Sequence, residues 1–189
     1  MSYNSINICS KALLILGANS ISSFNDGTAE AEVAGNLYSL VRDSLLSSYT
    51  WSFAVAQRTL AKLENSPLAD YQNAFSLPSD FLRVISGGSG NRGRGLQYCI
   101  QENRLHTNQE EVNLTYIFRP DESTFPAFFV EALISKLAAE MCLPLTESTS
   151  RAGHLADKSE KDINKARLID SQQATPKRFE DFTLVEIRK

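Results

Sequence analysis

The run Gly88-Ser89-Gly90-Asn91-Arg92-Gly93 has the spacing G-x-G-x-x-G. In a dinucleotide site those glycines let the backbone approach a pyrophosphate, which rests on the N-terminus of the helix that follows. Here the residues after the run alternate like another strand, so no cofactor site is expected. No G-K-[ST] occurs, which removes the NTPase kind of phosphate loop as well. What is left is a glycine-rich loop at the tip of a β segment. Its Arg92 and Arg94, on such a tether, could meet phosphate or an acidic partner surface.

The other reactive residues are scattered. His106 falls in the β segment and His154 in a polar helix, and neither has a Cys, Asp or Glu at ligand or triad spacing. Both read as surface or hairpin histidines. Cys9, Cys99 and Cys142 are far apart, odd in number and set in apolar patterns, so reduced core thiols are expected rather than a disulfide framework or a zinc site. No H-E-x-x-H, G-x-S-x-G or paired-carboxylate motif stands out, and no catalytic, metal or cofactor residue is assigned. Arg58, Arg83 and Arg119 lie on or beside strands. Acidic residues balance them, so solvated faces or subunit contacts are expected before a nucleic-acid stripe.

The element around which these residues must be arranged is Phe125–Leu143. Its polar members, Glu131, Ser135, Lys136 and Glu140, form one narrow stripe, and the rest is apolar. A helix of that kind has to be enclosed by other elements. The polar stripe argues against lipid, so no membrane partner is expected. Pro126 fits its first turn, and Pro144 is expected to stop it. Helix 1 is predicted over Asn4–Leu16 with a cap at Gly17. Helix 2 is predicted over Thr28–Ser48, buried along Val33, Leu37, Leu40, Val41 and Leu45. Trp51, beside Phe53, reads as a packing anchor. A polar fourth helix is predicted over Thr149–Gln173, with Leu155, Ile163, Ala166 and Ile169 inward.

Between the helix pairs the period changes. Strands are predicted at Val55–Leu63 and Phe81–Ile85. Alternation marks two more: Leu96, Tyr98, Ile100, and Val112, Leu114, Tyr116, Phe118. Glu102-Asn103 is the predicted hairpin turn, 67–76 reads as irregular, and 86–95 as loop. The fold class is therefore α+β, a four-helix bundle of two helix pairs with an inserted antiparallel β lobe. The divisions fall at 1–54 (helices 1 and 2), 55–120 (β lobe), 121–175 (helices 3 and 4) and 176–189 (a C-terminal docking arm). The arm carries Arg178, Phe179, Phe182, Leu184 and Ile187, too apolar for an inert tail.

Charge is unequal along this plan. Residues 1–54 hold two basic and four acidic side chains, and 121–175 hold six and nine. The β lobe and the arm are each net +1, while the whole chain is −3. That balance is not the footprint of a general nucleic-acid binder. Met1–Ser10 lacks a basic start and an apolar run, so no secretory leader is expected.

Several segments resemble one known family. They are Trp51-Ser52-Phe53-Ala54…Arg58…Leu60-Ala61, then Tyr71…Ala74-Phe75…Leu77-Pro78…Asp80…Leu82-Arg83-Val84, then Phe125-Pro126…Phe129-Val130-Glu131-Ala132-Leu133…Leu137-Ala138, closed by Pro144-Leu145-Thr146. With Ala12-Leu13…Leu16-Gly17…Ile21…Phe24…Asp26, their order and spacing over about 5–170 are similar to the tail tubular protein A family, the head-to-tail adaptors (connectors) of tailed bacteriophages. Loop 86–95, helix 4 and the arm depart from it. The resemblance implies a structural virion protein without turnover. Twelve subunits, by analogy, would ring up beneath the portal protein, extend the DNA channel, help retain the genome and present a platform for tail nozzle, tail-tube or tail-fibre proteins. DNA would pass without specific binding. The expected location is the virion neck or tail, and the host cytoplasm during assembly. Arg92, Arg94, Arg178, Phe179, Phe182, Leu184 and Ile187 are the candidate partner contacts, with the arm gaining order on a neighbour or the portal. The alternative is a phage accessory protein that binds nucleic acid through Arg92 and Arg94.

Overall fold

Three of the four helices begin where a side chain accepts from a first-turn amide. In the computed structural model, which describes residues 3–65, 67–90 and 92–173, α1 spans Ser5–Ile15 and α2 spans Ala29–Ser48. Asn4 Oδ1 accepts from the Asn7 amide, and Thr28 Oγ1 from that of Ala31. α1 closes at Gly17, φ +69°, where the amides of Gly17 and Ala18 donate back to the Leu14 and Leu13 carbonyls. That is the double bond of a Schellman cap.

α3 covers Ala127–Thr146 and α4 Thr149–Ser171. Pro144 does not stop α3. It lies in the last turn, where its missing amide costs a single bond, and the helix runs on until Glu147 leaves it at φ +53°. Phe129, Ala132, Leu133, Leu137, Ala138, Met141 and Cys142 are wholly buried, and α3 packs on α1, α2 and α4. This is the enclosed helix the sequence calls for. Ser135 Oγ donates to Asp162 of α4, so even the polar stripe is partly used for packing.

The inward face of α2 is rotated from its predicted stripe. Ala31, Ala34, Tyr38, Val41, Leu45 and Leu46 are buried, Val33 and Leu37 only half, and Leu40 is 68% exposed. Small Ala31 and Ala34 bring α2 close to its neighbours, which turns Leu40 outward.

The β segment forms two antiparallel three-stranded sheets. One has the order β1 (Val55–Thr59), β6 (Asn113–Phe118), β3 (Phe81–Gly88). The other is β2 (Asn73–Ser76), β5 (Arg104–Thr107), β4 (Cys99–Gln101). Four boundaries differ from expectation. β1 ends at Thr59, with only a single bridge from Lys62 to Phe75 beyond it. β2 lies in the stretch read as irregular. β3 continues through Gly87 and Gly88, where glycines hid it. Of 96–101 only Cys99–Gln101 is strand. The hairpin turn is where it was predicted: Glu102 and Asn103 join β4 to β5, both in the left-handed region, at φ +50° and +58°. A two-residue turn of that hand matches the twist of the strands it joins.

β6 serves two cores. Leu114 and Tyr116 face Phe75 and Leu105 of the second sheet, while Ile117, on the opposite face, joins the helical core. The protein is thus α+β, with four helices and two small antiparallel sheets among the described residues.

Helices and sheets meet in an aromatic joint. Trp51 is fully buried, and its indole N–H donates to the Leu45 carbonyl at 3.0 Å. Its ring meets that of Phe129 edge-on, centroids 5.1 Å apart, and Phe129 also meets Phe53 at 4.9 Å and Phe125 at 5.0 Å. Beside it, the Asp170 carboxylate of α4 accepts from the amide and hydroxyl of Ser52. On the outer side Arg119 clamps Asp43 at 3.1 and 2.6 Å, while Arg42 reaches both Asp43 and Glu122 at 2.9 Å. Burial alone would raise the Asp43 carboxyl, but the bonds from Arg119 and Arg42 outweigh it and hold the group below its usual value. The Tyr38 hydroxyl donates to Glu122, and burial with that carboxylate pushes its ionisation up. Phe129→Ala should therefore cost about 3–5 kcal/mol, measured by denaturant unfolding, because the wholly buried ring packs against Trp51, Phe53 and Phe125 at both crossings between helices and sheets.

Candidate partner-binding surfaces

Loop 88–95 lies on a polar sheet face. Alternation along β1 and β6 puts Gln57 opposite Thr115 and Thr59 opposite Asn113, away from the lobe core. Gln57 Nε2 donates to Thr115 Oγ1 at 3.2 Å. The Asn113 amide donates to the Gly90 carbonyl, and Ser86 Oγ to that of Gly93 at 2.8 Å. The Leu96 amide then returns to the Gly87 carbonyl at 3.0 Å. A Cβ on Gly88 would lie 1.9 Å from the Arg92 carbonyl oxygen, so only glycine admits this approach. The loop is pinned along its length and is not the slack tether expected from its composition. A strand enters it, but the chain leaves beside that same strand. No helix N-terminus is there to hold a pyrophosphate.

Arg92 and Arg94 are both exposed. Both line a cleft of about 330 Å³ with Gln97, Thr107 and Asn108, and Arg92 borders a second of about 380 Å³ over Gln57 and Thr115. Among the described residues no carboxylate lines either cleft. Arg58, exposed and paired with Leu114 across β1 and β6, borders that second cleft with Arg92. Arg83 and Arg119 do not join them. Arg83 reaches the Thr50 hydroxyl at 3.4 Å, and Arg119 is committed to Asp43. Arg58, Arg83 and Arg119 form no stripe.

As expected, His154 is exposed on α4 and His106 lies in the β4–β5 hairpin, where it is buried. All three cysteines are free. Cys9 and Cys142 are core thiols, and burial pushes Cys9 up to about 12; Cys99, against expectation, is only half-buried on β4. Arg178, Phe179, Phe182, Leu184 and Ile187 lie outside the described residues. Among the described residues no three His, Cys, Asp or Glu side chains converge as a metal site, and no helix is long and apolar enough to cross a membrane.

A further concavity lies between two helices, and no motif in the sequence marks it. α2 and α4 each pack along α3 but barely on each other, which leaves a groove of about 670 Å³. Leu37, Leu40, Val41 and Leu45 form one wall, and Ile163 and Arg167 the other. Lys136 and Glu140 of α3, paired at 2.6 Å, lie at its floor. Arg167 stacks over the Tyr49 ring, 5.5 Å from its centroid, and donates to Ser48 Oγ at 3.3 Å. Its Nε is buried without a hydrogen-bond partner among the described residues. Glu160 and Asn164 edge the α4 wall, and the apolar patch with one orphaned donor suits an apolar segment flanked by an acceptor. The available signal was that α2 is apolar on more of its surface than a single neighbour covers.

Compared with known proteins, the chain matches no family model and no curated sequence.

Gly88→Ala should detach the loop. Hydrogen exchange over 89–96 should rise, with a loss of about 1–3 kcal/mol in unfolding free energy. Gly153→Ala is the control. It sits within α4, where an added Cβ meets nothing within 4 Å, and should stabilise by about 0.5–1 kcal/mol.

Proposed function

We propose that this chain is a head-to-tail adaptor of a tailed bacteriophage, similar to the tail tubular protein A family. Copies assemble as a ring, twelve by analogy, between the portal and the tail. The ring continues the DNA channel and completes the head. Its place is the neck of the virion, after assembly in the host cytoplasm. There is no turnover. We read the architecture in finer terms as a four-helix bundle of two helix pairs with β1–β6 inserted between them.

The observation that carries this reading is where the resembling segments lie. Trp51-Ser52-Phe53, Leu82 and Phe125…Phe129-Val130 are far apart in the chain and pack in one core. That part of the shared signature fixes how the sheets are held on the helices, while Leu60, Phe75 and Leu77 of it pack between the two sheets. The departures, loop 88–95 and the face of α4, lie on surfaces that partners touch. Residues 1–54 and 121–175 are net −2 and −3, and an acidic helical wall would let DNA slide past without gripping it.

The test is electron microscopy of the purified chain mixed with its portal. Rings seated on the portal are expected. Deletion of 177–189 should leave the fold intact and abolish that attachment. A chain that stays solitary beside the portal sinks the reading.

One observation favours the second reading, a nucleic-acid-binding accessory protein: Arg92 and Arg94 are exposed beside clefts without a carboxylate among the described residues. Two phosphate contacts give a logarithmic salt slope of about −2. On that reading, binding to free DNA falls on Arg92→Ala/Arg94→Ala and its salt slope flattens. The adaptor reading expects little binding to begin with.

A further inference from the structure

We propose that the groove between α2 and α4 receives residues 177–187 of the same chain. The described chain ends at Gln173, six residues beyond Arg167, and sixteen residues follow. Six helical residues span about 9 Å. Extended chain covers about 3.3 Å per residue. The eleven residues that follow Pro176, as far as Ile187, cover about 36 Å as extended chain, enough to return past Arg167 and reach the wall formed by Leu40 and Leu37.

The chemistry matches along that path. The groove offers apolar side chains that α2 leaves uncovered, and the segment supplies Phe179, Phe182, Leu184 and Ile187. At the near end the Arg167 Nε has no partner among the described residues, and Glu180 and Asp181 directly follow Phe179. A carboxylate there satisfies the donor with a charge-assisted bond. The volume, about 670 Å³, falls within that of ordinary ligand sites, roughly 300–1,000 Å³. A segment tethered this close has an effective concentration on the order of millimolar. The segment's own groove therefore outcompetes that of another copy in dilute solution. This holds whether or not the chain is an adaptor. If it is, the portal must draw the arm out of the groove.

Limited trypsinolysis of the dilute full chain tests it, read at Lys177 and Arg178. Leu40 is 68% exposed, so Leu40→Asp leaves the fold intact, as circular dichroism checks, while putting a carboxylate in the groove wall. Cleavage is expected to speed up about tenfold. Equal rates in the folded variant and the parent overturn the proposal. A second variant, Leu40→Cys/Leu184→Cys, is oxidised at low concentration and mapped by mass spectrometry. An intramolecular disulfide between those positions is expected. No such bond, or one only between chains, overturns it; the latter result assigns the groove to another copy's arm.

Discussion

The placement of two β sheets on four helices rests on one ring, Phe129. The chain leaves the helices through Tyr49–Phe53 and returns through Phe125, and both crossings pack edge-on against Phe129 or its neighbours. Edge-to-face contacts favour one mutual orientation as well as burial. A joint of aliphatic side chains would bury similar area but tolerate sliding. Here rotation of the sheets about the joint meets several rings at once. The polar contacts stand around it for the same reason. Asp170 ties α4 to Ser52, and Asp43 ties α2 to Arg119, each across the boundary.

Much of this arrangement is legible in residue order. Periodicity locates all four helices, and their start signals lie within a residue or two of the observed caps, because Asn4, Thr28 and Ser148 have an acceptor on a short side chain. The hairpin at Glu102-Asn103 is legible because a two-residue turn between alternating runs has few solutions. Pro144 misleads. A proline is penalised by the bond it removes, and in the last turn α3 forgoes only one. β3 misleads in the other direction. Gly87 and Gly88 have no strand propensity of their own, and only the pairing with Leu114 and Asn113 makes them strand.

The surfaces were harder to read. Leu40 looks like core by spacing, since it shares a stripe with Leu37 and Val41. Which side of a broadly apolar helix faces inward depends on the size of its neighbours, and Ala31 and Ala34 decide that only once α1 and α3 are in place. Glycine content likewise says that loop 88–95 can take unusual conformations, not that Ser86 and Asn113 hold it in one. Long-range hydrogen bonds leave no periodic trace.

On the adaptor reading, rigidity at the joint has a specific use. A ring built from heterologous contacts closes only if each copy turns the next by a fixed angle, on the order of 30° for twelve copies. A subunit whose sheets swung on its helices by a few degrees would spread that angle and yield open chains or mixed copy numbers. Stiffness inside the subunit and variability on its surfaces are then complementary demands. The aromatic joint answers the first, because it is buried and cannot adapt to partners without loss. The exposed side chains of the groove, Leu40, Glu160 and Asn164, and the exposed Arg92 and Arg94 answer the second, because they lie outside the cores and can change without disturbing how the sheets are held.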